Sequence, residues 1–232
     1  LPPDEPRERA GAPVGRRTVV GLLALGGAGV VGGSWVQNGL ARLLAPLENR
    51  DPTGLIALFP LGDTFRFYSV TGSVPTRTAA SYRLAVSGLV TRPATYTLAD
   101  LQALPQTRFV HDFQCVTGWR VPDVHWAGVP LSLLLRRAEP SPAARAVRFH
   151  SFDGAYTESM TLDEAHRSDV IVALQMLGAP VTHDHGGPVR MYAASMYGYK
   201  STKWLSGIEL TRDAVPGYWE RRGYDIDGTI KD

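Results

Sequence analysis

The chain has a single cysteine, Cys115, among its 232 residues. No disulfide can form within it, so the thiol is either an inert buried group or one kept for chemistry. Lysine is almost as scarce. Of 24 basic residues only Lys200, Lys203 and Lys231 are lysines, and two of these fall in one short stretch, which a solvated-surface role does not explain. The net charge of +2 is too small to imply nucleic acid or an acidic surface as partner. No Gly-x-Ser-x-Gly elbow, Gly-x-x-x-x-Gly-Lys phosphate loop or Cys-x-x-Cys-His haem attachment occurs. Those absences argue against serine hydrolysis of that type, a P-loop and a covalently held haem. What is present, 44% hydrophobic and 9% aromatic residues, argues against disorder and suffices for one domain with a sizeable core.

Three regions are expected. Residues 1–36 hold a Pro-, Arg- and Glu-rich start without periodicity, then Arg16-Arg17 and an apolar, Gly-rich run from Thr18 to Gly33. This arrangement resembles a twin-arginine export signal. The run is shorter than the roughly 20 residues of a comfortable membrane span, and Trp35 and Val36 bring it near that limit, so a cleavable signal and an uncleaved membrane anchor are both compatible. A start on Leu1 rather than Met leads us to expect an upstream part. Residues 37–63, broken by Pro46, Pro52, Gly54 and Pro60, read as a linker. Residues 64–232 form the domain proper.

Within that domain Phe65–Val70, Tyr82–Val90, Val147–Phe152, Tyr156–Met160, Asp169–Gln175 and Trp204–Leu210 have the alternation or short apolar runs of strands. Thr97 and Thr161, each followed three residues on by an acid, open short helices with capping boxes, and Leu131, Leu134 and Leu135 share one face of a helix over Val129–Ala138.

Cys115 ends a strand-like stretch, Phe109–Gln114, which Thr117-Gly118 interrupts. Strand ends are where sites tend to be built. A second stretch, His183-Asp-His-Gly-Gly-Pro-Val-Arg190, leads into Tyr197-Gly-Tyr-Lys-Ser-Thr-Lys203. The latter is the strongest anion signal: glycine allows a turn, Ser201 and Thr202 offer N–H groups and hydroxyls, and Lys200 and Lys203 supply charge. His183 and His185 are also spaced to share a zinc ion, but no third histidine or acidic pair lies near them in sequence.

Cys115-Val-Thr-Gly-Trp119, Trp126-x-Gly128-Val-Pro-Leu131, His185-Gly-Gly-Pro-Val-Arg190 and Tyr197–Trp204 together resemble the molybdopterin domain of the sulfite oxidase family. The likeness is strongest to its short bacterial branch, which includes the catalytic subunit of the periplasmic methionine-sulfoxide reductase. It covers roughly Phe65 to Tyr224. It departs at Phe65, where the reductase branch has a polar residue, and at His185, where that branch has an asparagine.

The resemblance implies an α+β fold of mixed β-sheets with short peripheral helices. It implies Mo-molybdopterin held by Cys115 as metal ligand and by Tyr68, Ser69, Ser151, His185, Arg190, Ser201, Thr202 and Lys203, with Arg120 holding an anionic substrate. The expected activity is oxygen-atom transfer to or from sulfite, a sulfoxide or a similar small oxo substrate. Electrons would pass to a separate electron-transfer protein or membrane haem subunit, in an extracytoplasmic setting. The rival function is a non-catalytic extracytoplasmic binding module that keeps the fold.

Overall fold

The computed structural model describes Phe65 and residues 67–230; the leader and linker expected over residues 1–63 lie outside the described residues. Ten strands and three short helices follow in order: β1 (Leu84–Gly88), β2 (Ala94–Tyr96), α1 (Leu98–Ala103), β3 (Thr107–Gln114), β4 (Arg120–Pro130), α2 (Leu131–Ala138), β5 (Ala146–Ser151), β6 (Thr157–Thr161), α3 (Leu162–Ala165), β7 (Val170–Met176), β8 (Ala179–Pro180), β9 (Arg190–Ala193) and β10 (Leu205–Thr211). One sheet has the order β2-β1-β10-β5-β6, and the other has β3-β4-β7-β8 with β9 also on β7. The β1–β10 pair is parallel and its neighbours antiparallel, so the sheet is mixed, as expected of an α+β fold.

Both capping boxes form. The Thr97 hydroxyl accepts from the Asp100 N–H while the Asp100 carboxylate accepts from the Thr97 N–H, and Thr161 and Glu164 repeat the arrangement. α2 begins at Leu131, because Val129 still belongs to β4 and Pro130 marks the junction.

The main core lies between the sheets, with Leu84 and Val86 of β1, Val147 and Phe149 of β5 and Ile208 of β10 packed with Val170, Val172 and Leu174 of β7. A second apolar cluster takes the other parity of β7, Ile171 and Ala173, and also Met176, which the bulge between Ala173 and Gln175 turns to that face, with Phe113, Val124, Trp126 and Tyr192. β7 is therefore buried on both faces, which explains its unbroken apolar run. Along β9, Met191 and Ala193 enter the first core while Tyr192 enters the second. Strand alternation then directs Arg190 toward the second cluster, and its guanidinium indeed lies 5.5 Å from the Phe113 ring centre.

Two expectations fail. Phe65–Val70 forms no strand among the described residues: its backbone has no strand partner, and the carbonyl of Tyr68 is instead taken by the Lys203 ammonium at 2.9 Å. Lys200 is not part of an anion-binding loop. Its ammonium is fully buried and donates to Glu158 at 2.9 Å, Glu220 at 2.5 Å, the Ser159 carbonyl at 2.7 Å and the Ile226 carbonyl at 2.8 Å. One cation with two carboxylates leaves a surplus negative charge in a dry site, and burial raises the Glu158 pKa from 4.5 to about 8. Its Oε2 lacks a hydrogen-bond partner among the described residues.

An acid with a raised folded-state pKa contributes stability that is complete below its unfolded value and lost as pH climbs through the folded one. The window here runs from 4.5 to about 8. Glu158→Gln keeps an oxygen for Lys200 and removes the titration. Urea denaturation from about pH 5 to 9 should show the unaltered protein losing stability relative to the variant as pH rises, by at most about 1.4 kcal/mol per pH unit. A difference that is flat with pH would refute a protonated Glu158.

Candidate functional site

β3 and β4 form a hairpin whose turn carries Cys115. The Cys115 N–H donates to the Trp119 carbonyl at 2.9 Å and the Gly118 N–H to the Cys115 carbonyl at 3.0 Å. The thiol is half-buried, and its sulfur lies 3.2 Å from the Thr117 hydroxyl. Phe113, Trp119 and Phe65 pack beneath this turn, with Phe113 5.5 Å from Trp119 and 5.2 Å from Phe65 between ring centres.

His183–Gly187 is a tight turn, closed by Gly186 N–H to the His183 carbonyl at 2.9 Å and Gly187 N–H to the Thr182 carbonyl at 2.8 Å. Gly186 has φ of +94°, and a Cβ there would stand 2.6 Å from the Lys203 side chain. Only glycine takes this conformation cheaply and admits the lysine stem alongside. The Trp204 N–H reaches the Gly186 carbonyl at 2.7 Å, fixing the Ser201–Lys203 segment against the turn.

Arg190, 1% exposed, donates to the carbonyls of His185 at 2.7 Å, Ser201 at 3.3 Å and its neighbour Met191 at 3.3 Å. Its guanidinium also sits 5.6 Å from the Trp126 ring centre. No carboxylate pairs with it among the described residues. Burial lowers its pKa to about 10. Beside it Lys203 is lowered to about 7, first by burial and then by Arg190, with Asp184 and Cys115 acting the other way. The rings packed under the Cys115 turn reach this cluster, Phe113 facing the Arg190 guanidinium and Phe65 facing the His185 ring. His185, lowered to about 4 by burial, Arg190 and Lys203, is neutral at physiological pH, with Phe65 and Phe67 at 5.0 and 4.8 Å from its ring centre.

Of the residues expected at the site, His185, Arg190, Ser201, Thr202 and Lys203 come together, and the Cys115 turn adjoins them through Phe113 and Phe65. Thr202 is fully buried, and its hydroxyl has no hydrogen-bond partner among the described residues. The Ser201 hydroxyl accepts from the Ala193 N–H at 3.2 Å. Tyr68 meets the cluster through its carbonyl alone, its side chain being 59% exposed. Ser69 bonds with Thr71, 3.0 Å between hydroxyls. Ser151 closes β5 with its hydroxyl accepting from the Asp153 N–H at 3.1 Å, and the adjoining Phe152 N–H reaches the Trp204 carbonyl at 2.8 Å. Arg120 faces Gln114 across the hairpin and pairs with Asp112 at 3.3 Å. The zinc alternative gains no support: among the described residues no three His, Cys, Asp or Glu side chains converge, and His183 instead contacts the Arg77 carbonyl at 3.2 Å.

A buried guanidinium without an acid, a lysine pushed toward neutrality beside it and an orphaned hydroxyl describe a pocket suited to a polyanion. A nearby thiol is the donor type a soft metal takes. The donor set thus fits a dithiolene-bearing pterin with an anionic tail.

Comparison with known proteins gives the same answer. Residues 71–219 match the oxidoreductase molybdopterin binding domain. The oxidoreductase YuiH of Bacillus subtilis is 35% identical, over 68% of this chain and 80% of its own. The protein-methionine-sulfoxide reductase catalytic subunit MsrP of Ralstonia nicotianae is 28% identical, over 88% of this chain and 71% of its own. The sulfane dehydrogenase SoxCD of Paracoccus pantotrophus shares the fold, with a TM-score of 0.58 at 22% identity; the match covers 62% of this chain and 41% of the SoxCD chain. A thiol at a hairpin turn and a buried guanidinium that no carboxylate pairs among the described residues, within a chain that matches this domain over most of its length, make the protein a member of the molybdopterin-binding oxidoreductases of the sulfite oxidase family and an oxo-transfer enzyme.

Proposed function

We propose that the enzyme moves an oxygen atom to or from a small sulfur centre, a sulfoxide or sulfite, with Cys115 as the protein's ligand to molybdenum. The observation that carries this reading is the buried Arg190, which no carboxylate pairs among the described residues, together with Lys203 and the Thr202 hydroxyl, unpartnered among the same residues, in a cluster that Phe113 joins to the turn of the only thiol. When bound, the cofactor supplies two-electron oxygen-atom exchange. The chain's own residues do the rest. Arg190 and Lys203 would balance the negative charge of the pterin's phosphate, and Thr202, Ser201, Ser69 and Ser151 would supply hydroxyl hydrogen bonds to the bound cofactor. His185, uncharged at neutral pH, binds through a hydrogen bond, and Phe65 and Phe67 shield it from water. Tyr68 contributes its carbonyl, which orients the Lys203 ammonium. Arg120 is the residue to hold a substrate oxyanion, on release from Asp112. The methionine-sulfoxide reductase relative supports a sulfoxide as substrate.

Arg16-Arg17 and the apolar run after them support export of the folded, loaded enzyme through the twin-arginine route, with cleavage and anchoring both open. Among the described residues no helix is long and apolar enough to cross a membrane. Reoxidation or reduction of the metal then falls to a separate electron-transfer protein or a membrane haem subunit. A non-catalytic binding module would have no use for a thiol beside this basic pocket.

Expression in a molybdate-supplied host tests the proposal. About one molybdenum per chain is expected, with turnover of sulfite or methionine sulfoxide using artificial electron carriers. Metal analysis finding no molybdenum at near-stoichiometric level would remove it.

A further inference from the structure

A cleft of about 310 Å³ opens beside the Cys115 turn, walled by Val116 of that turn, by Tyr197 and Tyr199, and by Tyr224, Asp225 and Thr229. Two segments supply most of the wall: the loop at 195–200 and the strap at 224–230, which lies past the residues matching the family domain. The strap is fastened to the loop along its length. The Tyr197 N–H donates to the Gly228 carbonyl at 2.8 Å and the Ile230 N–H to the Ser195 carbonyl at 3.0 Å, with Met196 and Thr229 forming an isolated β-bridge. The Tyr199 hydroxyl donates to the Asp225 carbonyl at 2.6 Å. Below these bonds Lys200 holds the Ile226 carbonyl and Glu220, which precedes the strap, on one ammonium. Gly228 lets the strap lie directly on the lysine stem: its φ is +61°, and a Cβ there would stand 2.6 Å from Lys200 Cγ.

We infer that the strap is a wall of the substrate cleft and that Lys200 is a positioning residue which, by clamping the strap to the 195–200 loop, sets how tightly the organic arm of the substrate is held. This rests on the oxo-transfer reading, because the cleft matters only if chemistry occurs at Cys115. Lys200 is the residue suited to the task. A buried ammonium whose three N–H donors are shared among four acceptors on three segments cannot be withdrawn without leaving two carboxylates and two carbonyls short of a donor in a dry site, so the wall is stiff. The tyrosine side chains fit an uncharged arm, apolar or aromatic, that stacks on a ring face.

The test uses the molybdenum-loaded enzyme with methyl phenyl sulfoxide and reduced benzyl viologen, and the same chains made without cofactor. In Lys200→Met, hydrogen exchange at the Tyr197 and Ile230 amides should speed up by about tenfold or more, while β7 amides are unchanged; a rise of that size is one broken clamp at about 1.4 kcal/mol per decade. The KM should rise at least about fivefold with kcat within about twofold and molybdenum content unaltered. Tyr199→Phe, which removes only the bond to the Asp225 carbonyl, should move KM the same way by less. If Lys200→Met fails to fold, Tyr199→Phe decides, and an unchanged KM overturns the inference. Faster exchange with unchanged KM also overturns it, as does loss of molybdenum together with kcat, which would return Lys200 to the cofactor. Absence of turnover in the unaltered, loaded enzyme would instead overturn the proposed function, and it is seen before any variant is compared.

Discussion

Cys115→Ser is expected to abolish oxygen-atom transfer, lowering turnover by well over about 100-fold, the upper range for removing a residue that merely supports a metal ligand, while the pterin stays bound. The substitution is nearly silent for the fold. The turn is held by backbone bonds from Cys115 to Trp119 and from Gly118 to Cys115, which serine keeps, and its hydroxyl can still meet Thr117. What changes is donor chemistry. A thiol gives up its proton to a soft metal far more readily than an alcohol, which is a hard donor. The pterin stays because its anionic end is held elsewhere, by Arg190 and Lys203. Turnover with sulfite and methionine sulfoxide, thermal unfolding, and pterin content after extraction give three separate readouts. Retained turnover would show that the thiol is not a ligand. Loss of pterin would show that it anchors the cofactor rather than tuning the metal.

Much of this arrangement was readable from residues alone, and the exceptions have physical causes. β7 reads as a strand because both its faces are buried, so nearly every position is apolar. Two of the three short helices, α1 and α3, are announced by Thr97 and Thr161, whose capping boxes are local and need no tertiary partner. The strand β4 escapes notice for the opposite reason. Pro122 and Asp123, the latter at φ of +52°, break the alternation between Val121 and Val124, and the β3–β4 register slips between His111 and Phe113, so no clean period of two survives.

Phe65–Val70 misleads in the reverse sense: it alternates in sequence but meets the site instead of another strand. Lys200 shows the limit most plainly. It stands three residues from Lys203 and looks equivalent, yet Glu158 and Glu220, which claim it, lie 42 and 20 residues away in the chain. Family resemblance pointed to Arg190. That it is buried without an acid, which gives the pocket its demand for an anion, is a property of packing and invisible in the string.

That demand makes a second large effect measurable. Arg190→Met keeps the volume of the stem and removes the charge. In protein made in a host that makes no pterin the two consequences nearly cancel: a buried guanidinium lowered to about 10 by burial is no longer desolvated, while the carbonyls of His185, Ser201 and Met191 lose their donor. Each lost bond costs about 1 kcal/mol net, so unfolding stability should shift by no more than about 2 kcal/mol. Cofactor retention should change far more. Breaking a buried, hydrogen-bonded charge pair by deleting one partner costs about 3–5 kcal/mol, which is a loss of roughly 100- to 4,000-fold in affinity at 1.4 kcal/mol per decade.

A third signature separates an electrostatic role from a packing one. His185 is held down to about 4 by burial, then by Arg190 and Lys203, so deleting the guanidinium should move its titration upward toward the ordinary histidine value, readable by proton NMR of the cofactor-free chain. Molybdenum and pterin content after desalting, chemical denaturation and the His185 titration would then agree that Arg190 exists to meet an anion. A variant that keeps its cofactor but loses most of its stability would show instead that the guanidinium is a structural tie between the His183–Gly187 turn and the Ser201 segment, and the polyanion pocket would have to be sought elsewhere.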